Sequence, residues 1–393
     1  MKEFGNHSLK DMLQKLILIR NYTFCRKIAT DTCRTFSQIY MQLNLHQRTL
    51  RLRNHFTIAR NTRTEQLTTV VELRDTEGNV GYGEVSDNPY YTQASPGEVA
   101  KVLNGKKKVL AKADPDHPTR LFDELHKLLV TEGEVNYFAL SAIDMAAHDL
   151  AAKRAKKPLY TYWGFKWDET SIPVSNYTLS IDTPQEVLAK AMQNPWPSYK
   201  VKLGGKNDLA TIDLLRDKLP AVRLCVDANA AWEIEEALVN IKHLQERNIA
   251  FVEQPCGRAA FAKTQAVQHA LDAQAGIEFP PLVADEDCQT ETDVAKCAKA
   301  YDIVNIKLSK CGGPTPALRM VNEAKTLGLG VMFGCMIESS FAIGVLRHFS
   351  PVADFMDLDG ALLLSNDLAK GVEFHADGRP VKPTGFGSGV SWR

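Results

Sequence analysis

The sequence predicts an α/β protein in which a parallel β/α barrel follows a smaller α+β domain. Three observations carry this. Residues 46–85 alternate apolar and polar with period two; residues 95–156 shift to helical period; and from residue 166 onward eight short apolar runs are separated by mostly helix-length intervals. At 393 residues the chain is long enough for two domains, or for a barrel with additions.

The first stretch fits neither part. Seven basic residues lie between Lys2 and Arg34 against Glu3, Asp11 and Asp31, around a short apolar patch. Such a basic start can be an organellar address, but alternation begins only at Met41, so residues 1–45 are expected to be an N-terminal extension without a catalytic role. LRLRNHFTIA, QLTTVVELRD and VGYGEV then read as three antiparallel strands, the last two joined by a turn at TEGN. Pro96 suits a first helical position, and KVLNGKKKVL, RLFDELHKLLV and the alanine-rich FALSAIDMAAHDLAAKRAKK follow as helices. These elements make a domain over residues 46–165.

The eight later runs are IPVSNYTLS, YKVKL, VRLCVDAN, AFVEQP, PLVADED, IVNIKL, GVMFGCM and DFMDLD, and they place the barrel at residues 166–371. The interval from Phe341 to Arg347 is short, so the last helix is abbreviated. Residues 372–393 turn Gly- and Pro-rich and are expected to return to the first domain; GFGSG there precedes no helix and is read as a loop, not a dinucleotide site.

Composition narrows the function. Lys plus Arg equals Asp plus Glu at 47 each, which argues against a chain built to coat nucleic acid or an anionic membrane. No apolar run approaches the eighteen or so residues of a spanning helix. Eight cysteines without a C-x-x-C pair suit reduced thiols in the cytoplasm. No H-E-x-x-H occurs, so any metal is expected to have oxygen ligands.

Polar residues at the carboxyl ends of barrel strands are the catalytic candidates. They are Lys202, Asp227, Glu253, Asp285, Lys307, Glu338, Asp357 and Asp359, and the steps from Lys202 to Lys307 are 25, 26, 32 and 22 residues, each about one β/α unit. Any one alone could be a solvated loop residue. In register, Asp227, Glu253 and Asp285 on adjacent strands need a cation, and separate oxygen ligands suit Mg²⁺. Lys200 and Lys202 point the same way on one strand, and Lys307 lies across the barrel, an arrangement suited to removing a proton from one face of a carbon and returning it to the other. A metal on a substrate carboxylate would stabilise the resulting enediolate. It would also help bring a lysine pKa from roughly 10.4 toward 7 to 8, about 4 kcal/mol of destabilised ammonium.

YKVKLGG, CVDANAAW, VEQP, ADED and NIKLSKCGG, in this order and spacing, resemble the enolase superfamily, and the SAIDMAAHDLAAK helix is similar to its capping domain. The resemblance runs from Gln47 to the C-terminus. It implies a modified TIM-type barrel, (β/α)7β-like, with an α+β cap. K-x-K with a later lysine resembles the muconate-lactonizing subgroup and implies metal ligands Asp227, Glu253 and Asp285, an acid/base pair Lys202 and Lys307, and an auxiliary Lys200 that supports the substrate carboxylate or tunes Lys202. FMDLDG and GCMIESS resemble dipeptide epimerases, including those acting on alanyl-glutamate. This implies that Asp357 and Asp359 hold a substrate α-ammonium, with Ile337 also at the substrate, and that two-base proton transfer occurs at the α-carbon of the C-terminal residue. Arg60, or Arg63, would then meet an acidic side chain. Other readings are an o-succinylbenzoate synthase, an N-acylamino acid racemase, a cycloisomerase, a non-catalytic barrel and, more weakly, a Schiff-base aldolase. A homo-oligomer is compatible with the class.

Overall fold

The computed structural model describes residues 41–393 apart from 60, 89, 134 and 258–260. The expectation for residues 1–40 therefore lies outside the described residues. Three antiparallel strands come first, β1 (Gln42–Ile58), β2 (Asn61–Arg74) and β3 (Val80–Ser86), paired in that order. Between β2 and β3 the Asp75 carboxylate accepts from the backbone N–H of Glu77 (2.9 Å) and Asn79 (2.8 Å), the local bonding that suits Asp to turns. Pairing starts at Gln42↔Arg74, ahead of His46, and the register shifts between Arg51 and Phe56. Within and beyond that shift the hairpin leans on the barrel: Arg53 N–H donates to Leu363 O and Ile181 N–H to Thr57 O, both at 2.9 Å.

Helices α1 (Pro96–Gly105), α2 (Pro118–Thr131) and α3 (Tyr137–Arg154) complete this unit. Proline opens α1 and α2, and the side chains of Ser95 and Asn136 cap α1 and α3. α3 is buried from Phe138 to Ala152 because two cores meet on it. Leu140, Ile143, Ala146 and Leu150 belong to the cap core, whereas Met145 and Ala152 belong to the barrel core. Its alanines let β3 approach so closely that a Cβ on Gly81 or Gly83 would run into the α3 backbone.

Eight parallel strands follow in sequence order: β4 (Tyr177–Leu179), β5 (Ser198–Lys202), β6 (Arg223–Asp227), β7 (Val252–Glu253), β8 (Leu282–Ala284), β9 (Ile303–Ile306), β10 (Gly330–Phe333) and β11 (Phe355–Met356). A parallel bridge between Ser175 and Met356 joins the two ends of the sheet, with Asn176 N–H donating to Met356 O at 2.9 Å. Between strands lie α4 (Pro184–Gln193), α5 (Asp208–Lys218), α6 (Ile234–Glu246), α7 (Phe261–Asp272), α8 (Pro314–Thr326) and α9 (Ser340–Leu346). After β8 only short helical turns occur, α9 has 7 residues, and no α-helix follows β11 among the described residues. This is the expected (β/α)7β-like barrel.

The lumen is layered. Cys225, Phe251, Val283, Ile303 and Met332 form an apolar floor. Two residues further along each strand, on the same face, stand Asp227, Glu253, Asp285, Asn305 and Gly334. The C-terminal segment returns to the cap: β12 (Ala369–Lys370) pairs with β13 (Ser391–Trp392), and the Trp392 ring meets His46 at 5.4 Å and Tyr82 at 6.2 Å. Among the described residues no helix is long and apolar enough to cross a membrane.

Candidate active site

Lys200, Lys202, Asp285, Lys307, Ile337, Asp357 and Asp359 line one cavity of about 370 Å³ at the carboxyl ends of the barrel strands. Asp227 and Glu253 are buried beside it, in contact with its lysines. Arg60 lies outside the described residues.

Asp227, Glu253 and Asp285 each offer a carboxylate oxygen, and these atoms lie within 4.8 Å of one another. Their electrostatics are uneven. Burial alone would raise Asp285, but Lys307 and Lys310 outweigh it and hold the carboxyl far below the usual range. Asp227 is likewise held low by Lys202 and Lys200 against its burial. Glu253 is pushed up to about 7 by burial and by the charge of Asp227. Three buried carboxylate oxygens this close together fit a hard divalent cation.

Lys202 Nζ donates to Asp227 Oδ2 (2.5 Å) and Lys307 Nζ to Asp285 Oδ2 (2.8 Å). Their strands, β5 and β9, stand four places apart in the eight-stranded sheet, so the two ammonium groups face each other across the lumen. For Lys307 the expected lowering of the pKa is not a property of the side chain and its burial alone. Burial pulls Lys307 down, but Asp285 and Glu253 override it and raise the group. A lowered value needs the carboxylate charge to be engaged by a cation.

Lys200 stands between two carboxylates. Its Nζ sits between Glu253 Oε2 (3.0 Å) and Asp357 Oδ2, so Asp357, which has no basic neighbour in sequence, has one in space. Asn176 Nδ2 also donates to Asp357, at 2.8 Å. Asp359 accepts the Thr178 N–H (2.7 Å) and pairs with no basic side chain among the described residues. Burial, then Asp357, raises its pKa. The two aspartates are therefore unequal, with only Asp359 left to attract an outside cation.

Ile337 reaches the cavity together with Cys335 and Met336. Two carboxylates fix this segment: Glu338 accepts the Met336 N–H (3.2 Å), and Glu84 of β3 accepts both the N–H (3.1 Å) and the hydroxyl (2.6 Å) of Ser339. Arg63 also lines the cavity and donates to Gln66, the Asp87 carbonyl and Asn88, all neutral acceptors. Sequence reasoning missed Lys310, whose Nζ reaches Asp285 Oδ1 (2.6 Å), and Asn305, whose Nδ2 reaches Glu253 Oε1 (2.6 Å). Asn305 had a signal, since it shares the face of Lys307 on an alternating strand. Lys310 had none, because the turn Leu308–Cys311 swings it inward.

Residues 185–393 match the family model described as enolase C-terminal domain-like, and residues 41–164 match the N-terminal domain of the mandelate racemase / muconate lactonizing enzymes. The chain belongs to the enolase superfamily. Within this superfamily it is 41% identical over 351 residues to an L-Ala-D/L-amino acid epimerase of a Maribacter species, covering 89% of this chain and 99% of that one. It is 38% identical over 337 residues to an L-Ala-D/L-Glu epimerase of Bacteroides thetaiotaomicron, covering 85% and 83%. A solved superfamily structure, the dipeptide epimerase of Cytophaga hutchinsonii with Mg and D-Ala-L-Val, superposes with a TM-score of 0.82 at 27% identity, covering 90% of this chain and 96% of that one.

Proposed function

We propose that this chain is a Mg²⁺-dependent dipeptide epimerase that inverts the α-carbon of the C-terminal residue. The observation that carries the reading is the pair Lys202 and Lys307, facing each other across the lumen beside three buried carboxylates. Asp227, Glu253 and Asp285 would hold Mg²⁺, which when bound supplies the positive charge that makes a hydrogen α to a carboxylate removable. One lysine takes the proton on its Nζ from one face of the carbon; the other gives a proton to the opposite face. For the reverse epimer the two exchange roles.

Asp359 receives the substrate ammonium, and Asp357 holds Lys200 in place. Ile337 packs against the substrate, and Arg63, whose acceptors are all neutral, is open to an acidic side chain, a part also open to Arg60. A cytoplasmic setting is supported by six free cysteines among the described residues, five of them buried. Residues 46–165 and 372–393 form the cap and 166–371 the catalytic barrel; pairing from Gln42 favours counting residues 42–45 with the cap.

The test is Lys307→Ala, assayed in D₂O with each stereoisomer of an alanyl dipeptide series. Epimerisation should fall by about 10²-fold or more, while one stereoisomer still exchanges its α-proton through Lys202. Normal turnover in the variant would sink the two-base scheme, and no exchange with any dipeptide in the native protein would sink the substrate class.

A further inference from the structure

Three residues outside glycine hold positive φ at the carboxyl ends of neighbouring barrel strands: Asn229 (47°), Ala230 (64°) and Gln254 (38°). The left-handed region disfavours side chains with a Cβ, least so for Asn, and it persists only where surroundings over-determine it. Gln254 is where the over-determination is greatest. It follows Glu253 directly, is fully buried, and every polar atom it has is bonded. Its N–H donates to Val283 O (2.8 Å) and its carbonyl accepts from Ala230 N–H (2.8 Å). Its side-chain oxygen accepts both the Asp285 N–H (3.0 Å) and the Asp287 N–H (3.1 Å). Its side-chain nitrogen donates to Cys256 O (3.0 Å) and to Tyr301 Oη (3.0 Å), and the Tyr301 hydroxyl in turn donates to Asp287 Oδ2 (2.7 Å).

One residue thus touches all three segments that carry the buried carboxylates. Its backbone leaves Glu253, its carbonyl pins the turn after Asp227, and its amide oxygen pins the turn that begins at Asp285. We infer that Gln254 is a positioning residue for the metal site, setting the mutual distances of Asp227, Glu253 and Asp285 by clamping their three strand ends together. Positive φ is what makes this possible, since it turns the Gln254 carbonyl toward Ala230 while the side chain reaches the other way, to the turn after β8. The inference rests on the metal reading above and is independent of the substrate.

Groups that orient metal ligands typically change metal affinity by ~10- to 100-fold when replaced. Asn is tolerated at positive φ but is one methylene shorter, so Gln254→Asn eases the backbone and withdraws the amide from the Asp285 and Asp287 N–H groups. The experiment is calorimetric titration of Mg²⁺ into metal-free full-length protein, native and Gln254→Asn, with the unfolding midpoint of each measured without metal. The expected result, read at a temperature where both metal-free chains are folded, is Mg²⁺ affinity lower by ~10-fold or more; a lower metal-free midpoint with unchanged affinity is what a merely structural role would give. Affinity within about twofold of native overturns the inference. If Gln254→Asn does not fold, Tyr301→Phe decides: it removes the hydroxyl that accepts from Gln254, and unchanged affinity there overturns the inference too. A native chain that binds no Mg²⁺ overturns the metal reading and this inference together, whereas native binding with unaltered variants overturns this one alone.

Discussion

Asp357 and Asp359 stand two residues apart, yet carry different electrostatic loads. Asp357 is matched by Lys200; Asp359 has Thr178 and the Cys335 thiol as donors and no basic side chain paired with it among the described residues. An outside ammonium would make a charge-assisted bond with Asp359 worth about 1.5–3 kcal/mol. Asp359→Asn is therefore expected to cost roughly 10- to 100-fold in kcat/KM on a dipeptide with a free amine and much less on its N-acetylated form. Equal losses on both would refute ammonium recognition and favour an N-acylamino acid racemase. Asp357→Asn should behave otherwise, lowering the unfolding midpoint as well, because it leaves the buried Lys200 with Glu253 as its one carboxylate partner. The pair was legible in the sequence as D-x-D, but their inequality was not. The lysine that distinguishes them lies 157 residues upstream and meets Asp357 only when the barrel closes between Ser175 and Met356.

Among the elements, β3 and α3 are packed to the limit. A Cβ on Gly83 would meet the Ala142 carbonyl, with Ala146 N at 2.8 Å and Met145 Cβ at 2.9 Å behind it. Two of these are backbone atoms and the third is a Cβ fixed to the backbone of a helix buried on both sides, so none can step aside. Gly83→Ala is expected to destabilise by about 1–3 kcal/mol or more, read as a lower midpoint in denaturant at unchanged slope; a neutral result would mean that the strand and helix separate freely. The period-two and helical patterns made these elements legible, and alternation along the barrel strands even announced which residues share the lumen face. What they could not announce was the link from Glu84 on β3 to Ser339, which fixes the segment carrying Ile337 from the far side of the chain. No local pattern encodes a contact across 255 residues.

On the scale of the molecule, several buried groups tie stability to pH. Glu338 is pushed up to about 8 by burial and by Glu84, and Asp144 to about 8 by burial. His148 and His348 are pushed down to about 3, again by burial. The sign follows from proton binding. Above the ordinary carboxylate range and up to about 8, the folded chain keeps protons on Glu338 and Asp144 that the unfolded chain has released, so stability falls as pH rises through that window. Below about 6.5 the unfolded chain protonates its two histidines while the folded chain does not, which opposes this slope. Between pH 6.5 and 8 the carboxyls act without that opposition, and the unfolding midpoint should decline. Glu338→Gln should flatten the decline, and an unchanged slope would place its titration elsewhere. The double burial of α3 has a different consequence, for modularity. Because one helix supplies side chains to both cores, the cap is not a cartridge. A chimera cut in the linker after Arg154 would graft a foreign helix face onto this barrel, whereas an exchange confined to the tip of the β1–β2 hairpin leaves both cores whole. Side chains of that hairpin on the cavity wall, such as Ile58 and Arg63, can then be exchanged while the junction beneath them stays fixed.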